Sequence, residues 1–143
     1  MASVAASIAA AVLAELAGQT FSLPVVCQRK YAPNWDLKDI DGIQVTVVPK
    51  GNEITTATRN ELSNQISVDV GIQRKVNAST PAEIDPLMDL VQELADFLTR
   101  RPLAAYANAS WLRIANTPIY APDHLTDKRL FTSVLTVTYV VHR

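Results

Sequence analysis

The strictest alternation in the chain lies near its end. Phe131, Ser133, Leu135, Val137, Tyr139 and Val141 interleave with Leu130, Thr132, Val134, Thr136, Thr138 and Val140. A period of two is the signature of a strand. The second set is only half polar, so this strand is expected to be covered on both faces. A strand reached last is added to partners that already exist, which places it at a central or closing position in the sheet. A second clean alternation, over Gln65 to Lys75, sets Ile66, Val68, Val70 and Ile72 against Gln65, Ser67, Asp69 and Gln73. A third, Ile43 to Val48, sets Ile43, Val45 and Val47 against Gln44 and Thr46. Phe21 to Tyr31 reads as a first strand with Pro24 near its start or on an edge, and Ser110 to Ala115 is a candidate strand.

Two segments change to helical spacing. Val4, Ile8, Val12 and Leu16 recur every four residues with Leu13 beside them. Alanine fills the remaining positions and Gly18 offers a stop. This stripe must dock on its own sheet or on a neighbouring subunit. Leu87, Leu90, Val91, Leu94, Phe97 and Leu98 form the apolar face of a second helix, and Asp89, Gln92, Glu93 and Asp96 its wet face. Asp85 as N-cap and Pro86 at the first helical position predict its start. Arg100 and Arg101 suit its C-terminal dipole.

The connections are polar. Pro33 to Gly42 and Asn116 to Arg129 read as loops, and Pro49-Lys50-Gly51-Asn52 has the chemistry of a turn. Glu53 to Leu62 is weakly patterned and reads as an arm or a long loop. The order is helix, strand, strand, strand, helix, strand, strand. It predicts an α+β domain over residues 1–143, with one mixed, mainly antiparallel sheet and two principal helices packed on it.

Composition narrows function mainly by exclusion. A chain of 143 residues, 48% hydrophobic and 19% charged, suits a single ordinary core. Its net charge of -1 supplies no global field toward DNA or anionic lipid. The alanine-rich start has no Lys or Arg before Arg29 and carries Glu15, so it is expected to be an amphipathic helix and not a signal peptide. The single cysteine, Cys27, excludes an internal disulfide framework.

Candidate chemistry is thin. Cys27 lies close to Arg29 and Lys30, which would favour a thiolate, yet no base accompanies it, and a half-buried strand cysteine is the simpler reading. Asp123-His124 is too small a ligand set for a catalytic zinc, and His142 is next to last. Asp36, Asp39 and Asp41 lack the spacing of a calcium loop. There is no phosphate loop, dinucleotide fingerprint or nucleophile elbow. No catalytic, cofactor-binding or metal-binding residues are therefore expected. Arg29-Lys30, Arg74-Lys75, Arg100-Arg101 and Lys128-Arg129 are basic pairs at element ends. They would touch DNA phosphates only if the fold brought them together.

Five stretches carry a resemblance. They are LAELAGQTFSLPVVCQRKYAP (13–33), DLKDIDGIQVTVVPKG (36–51), NQISVDVGIQRKV (64–76), DPLMDLVQELADFL (85–98) and PIYAPDHLTDKRLFTSVLTVTYVV (118–141). In these stretches, and in its order of elements, the chain resembles the tail terminator family of long-tailed bacteriophages. The likeness covers most of the chain and rests on overall pattern, with no short diagnostic motif. It implies a non-enzymatic virion structural protein without cofactors. The protein would form a ring, hexameric in the family, at the head-proximal end of the tail. The ring caps the tail tube, stops its polymerisation and joins the tail to the neck. Implied partners are copies of itself, the tail tube protein and head-closure or neck connector proteins, with non-specific contact to DNA in the lumen and no membrane. Glu53 to Leu62 and Asn116 to Arg129 are the expected reaching segments. Competing readings are a head-closure or neck adaptor on the portal side, a small-molecule-binding module or hydrolase with a site near Cys27 or His124, and a nucleic-acid-binding protein.

Overall fold

A computed structural model describes residues 3–29, 42–77, 80–116, 120 and 130–143. The elements follow the expected order: α1 (Val4–Ala17), β1 (Val25–Arg29), β2 (Ile43–Thr56), β3 (Leu62–Lys75), α2 (Pro81–Leu98), β4 (Ala109–Asn116) and β5 (Leu130–His142). The strands form one five-stranded sheet in the order β1-β2-β3-β5-β4. β1 runs parallel to β2, and the other pairs are antiparallel. The fold is thus α+β, with a mixed sheet and two helices on it. β5, the last strand, lies inside the sheet between β3 and β4, but helices cover it on one face only: they pack on the side of Leu135, Val137 and Tyr139, while Val134, Thr136 and Val140 on the other side are half-buried, so the expected two-sided cover is not found among the described residues.

Both helices lie on one face. Ile8, Val12 and Leu16 of α1 and Leu87, Leu90, Leu94 and Leu98 of α2 meet Val45, Val47, Ile66, Val68, Val70, Ile72, Leu135, Val137 and Tyr139 in a single core. The α1 stripe therefore docks on its own sheet. Ala9 and Ala11 are buried too, so the small side chains let the helix sit close to the strands. Ser3 caps α1 by accepting from the Ala6 N–H, and the Gly18 N–H closes it on the Ala14 carbonyl.

Three boundaries differ from the sequence expectation, each for a physical reason. The predicted turn at Pro49–Asn52 is absent. β2 runs through it to Thr56, with a register shift between Pro49 and Gly51. β1 ends opposite Val47, so β2 is an edge strand by Pro49, a setting that tolerates proline. The β2–β3 hairpin therefore turns at residues 57–61, and Glu53 to Thr56 of the predicted arm belong to a paired strand. The second helix starts at Pro81, not at Pro86. Thr80 is its N-cap, and Pro86 lies inside the helix. Pro86 and Ala82 are both exposed, so the Ala82 carbonyl left without its helical donor faces water. β1 is also shorter than the expected Phe21 to Tyr31; Phe21 is buried in the core ahead of it, and Tyr31 lies outside the described residues.

Candidate functional site

The two faces of the sheet differ in kind. The face opposite the helices is a ladder of small polar groups. The Ser67 and Thr138 hydroxyls bond at 3.1 Å, the Thr136 hydroxyl donates to Asp69 Oδ1 at 2.6 Å, and Lys50 Nζ stands 3.9 Å from the same oxygen. A shallow groove of about 220 Å³ crosses this face, lined by Gly51, Asn52, Glu53, Gln65, Ser67 and Arg113. Such a surface can hold water or a polar partner. This groove is open and polar, unlike the enclosed apolar pockets that hold small ligands.

Beyond Val47 the β1 side of β2 carries no partner strand among the described residues. Every residue from Lys50 to Thr56 is exposed although each strand position from Gly51 on pairs with β3. Ile54 is 54% exposed on the helix side of the sheet, and Leu62 across the hairpin is 42% exposed. The helix layer covers β3 and β5 at this level, where Ile66, Tyr139 and Val141 are buried, but it stops short of β2. Among the described residues the sheet therefore ends on this side in an exposed strand. β4 closes the other side. Ser110, Leu112, Arg113 and Ala115 are exposed along it, and a register shift between Trp111 and Arg113 presents Leu112 at the surface.

The candidate residues named from sequence do not assemble. Cys27 lies on the helix side of β1, half-buried and packed against the core. Burial pushes its thiol up, which disfavours the thiolate that a nucleophile requires. Arg29 on the same face donates to the Ala6 carbonyl of α1 at 3.3 Å. Arg101 is committed to the fold. Its Nε donates to Glu15 Oε2 at 2.8 Å, and its guanidinium lies 3.9 Å above the Phe97 ring. Arg74 and Lys75 end β3 near Ile43 and Leu130, while the hairpin tip and His142 lie at the opposite end of the sheet. Arg29 and Arg101 are thus engaged within the fold, and Arg74 and Lys75 stand at the end of the sheet away from the hairpin. His124, Asp123, Asp36, Asp39, Asp41, Lys30, Lys128 and Arg129 lie outside the described residues, as do most of the two predicted loops. Among the described residues no three His, Cys, Asp or Glu groups cluster as metal ligands, and no helix is long and apolar enough to cross a membrane.

The sequence reading missed two anchors that hold the helix layer. Glu15 accepts from the Arg101 Nε and, at 3.0 Å, from the Ala104 N–H, and these bonds hold its carboxyl below the ordinary carboxylate range, the Ala104 bond foremost. Glu93 accepts from the N–H and hydroxyl of Ser22, beside an edge-to-face contact of Phe21 on Phe97 at 5.4 Å. Both acids join segments far apart in sequence, so no local spacing marks them. The core side also hides polar atoms behind regular alternation. The Asn64 side-chain amide and the Tyr139 hydroxyl are buried with no hydrogen-bond partner among the described residues, and burial raises Tyr139 to about 12. No known protein-family model matches the chain, and no curated protein matches it.

Proposed function

We propose that this chain is a virion structural protein of the head–tail junction, and specifically a tail terminator that caps the tail tube as a ring. The observation that carries this reading is the distal half of β2, exposed along its length and without a partner strand on its β1 side among the described residues. A strand with a free edge and both faces in water invites pairing with another chain, and stable folds normally shorten, charge or cover such an edge. Here a row of exposed positions that includes Ile54 is left for an assembly partner to cover. The resemblance to the phage family supplies the identity of that assembly.

In this account the protein works by geometry, without catalysis or a cofactor. Copies associate head to tail around an axis, each using one patch against a different patch of the next. One face of the ring binds the last layer of tail tube protein. The other binds neck proteins and offers nothing on which a further tube layer can grow.

The test is to add the purified protein to tail tube protein as it polymerises. The expected outcome is shorter tubes bearing a ring at one end. Tubes of unchanged length with bare ends contradict the reading, and binding to the portal-side connector in their place identifies a neck adaptor.

A further inference from the structure

We propose that the helix face of the sheet holds a buried water site near the β2–β3 hairpin, shared by the Tyr139 hydroxyl, the Asn64 side-chain amide and the Trp111 indole N–H. The site belongs to the core of one copy and does not depend on the ring reading.

Placement gives the first argument. Five buried side-chain atoms have no hydrogen-bond partner among the described residues: Asn64 Nδ2 and Oδ1, Tyr139 OH, Trp111 Nε1 and Gln73 Oε1. Gln73 lies on the opposite face, where its Nε2 donates to the Thr132 hydroxyl at 3.5 Å. The other four atoms fall together. Trp111 pairs with Tyr139 across β4 and β5, and Asn64 pairs with Val141, two residues from Tyr139 along β5. Paired side chains on adjacent strands stand about 5 Å apart and diagonal ones about 7–8 Å, within reach of rings and amides. All three residues are on the face that carries the helices, since Tyr139 and Val141 belong to the core and Trp111 packs against it.

Burial gives the second. Asn64 is 1% exposed and Tyr139 0%. Buried polar groups are nearly always bonded, to protein or to ordered water. One left unbonded forfeits the hydration it had in the unfolded chain. Four such atoms on neighbouring rungs of three adjacent strands mark a single polar centre inside an apolar core. The charges of Glu15 and Arg101 both act on Tyr139. Glu15 is in the last turn of α1 and Arg101 just past α2, so the centre lies beneath the C-terminal ends of both helices.

Chemistry selects the occupant. Asn64 brings two donors and an acceptor, Tyr139 a hydroxyl that does both, and Trp111 one donor. A water accepts from the Trp111 and Asn64 N–H groups and donates to the Asn64 carbonyl and the Tyr139 oxygen. That meets the two to four bonds a buried water makes. An apolar occupant satisfies none of these groups, and an anion leaves the Asn64 carbonyl unpaired.

The first experiment probes water itself. Paired NOESY and ROESY spectra of the isotope-labelled full chain read contacts between water and the Trp111 Nε1–H and Asn64 Nδ2 protons. The expected result is cross-peaks from both to a long-lived water, and their absence overturns the site. The second reads the same groups by urea unfolding. Tyr139→Phe and Asn64→Leu keep the side-chain bulk and delete the polar atoms. Each raises the unfolding equilibrium constant about fivefold, the worth of one ordinary hydrogen bond. The double variant raises it by less than the product of the two, because the second change acts on a site whose water is already lost. A single variant as stable as the native chain, or more stable, means that the atoms were dry and overturns the site. Costs that multiply in full mean separate sites and overturn the shared one.

Discussion

Replacing Glu15 by alanine removes the anchor between the end of α1 and the segment after α2. The lost interactions are a charge-assisted bond to Arg101 at 2.8 Å and a bond from the Ala104 N–H at 3.0 Å. A bond to a charged group contributes about 1.5–3 kcal/mol and a neutral one about 1 kcal/mol. The Arg101 side chain is 38% exposed, so water screens the ion pair and its share falls to about 1 kcal/mol. Alanine returns a few tenths of a kcal/mol in helix propensity. The net cost is about 2 kcal/mol, or about 6–8 °C in Tm for a domain of this size. The sign with pH follows from the carboxyl, whose native value lies below its ordinary one. Its contribution is fully present above that ordinary value and is lost as pH falls through the lowered native value. Urea unfolding of both proteins at pH 7 and again at about pH 3 reads the effect. The account predicts a large difference at neutral pH that shrinks in acid. A difference under about 0.5 kcal/mol at pH 7, below even one ordinary hydrogen bond, or one that does not change with pH, refutes the reasoning.

Two other predictions follow from single residues. Arg100 stands just past α2 with φ of 57°, a left-handed conformation that costs a side chain about 1 kcal/mol, so Arg100→Gly stabilises by about 0.5–1 kcal/mol in the same unfolding assay. Cys27, with its thiol raised by burial, is alkylated at pH 8 at least about tenfold more slowly in the native protein than in urea, and equal rates would mean that the thiol is open and activated.

Much of the fold was legible because burial on one face writes itself into the sequence. In β3 every second residue from Asn64 to Ile72 is buried, and the alternation of Ile66, Val68, Val70 and Ile72 records it. The half-polar second face of β5 misled in the same terms: it suggested cover on both sides, but Val134, Thr136 and Val140 are half-buried by their neighbours within the sheet's polar face and carry no helix among the described residues. The failures lie where two signals compete. Pro49-Lys50-Gly51-Asn52 has turn chemistry, but pairing with β3 continues beyond it, so the proline and glycine make a bulge and not a reversal. Asp85-Pro86 looks like a helix start, yet Thr80-Pro81-Ala82-Glu83 is the better one. It has proline at the first helical position and the spacing of a capping box, although Glu83 reaches back to the Asn77 N–H instead of the cap. The exposed distal part of β2 was only partly legible. Glu53 to Leu62 stood out as unpatterned because β2 there has no core face, but no local signal says which strands lack neighbours. That follows from sheet order, which tertiary pairing decides.

The central claim is that this chain closes into a ring through its own surface. Light scattering on the purified protein, with negative-stain imaging of the same peak, tests it most directly. The account predicts a closed ring-shaped oligomer of one size, with six copies if the family likeness holds. A compact two-fold dimer, or a monomer at every concentration that also leaves tail tube ends bare, would contradict it.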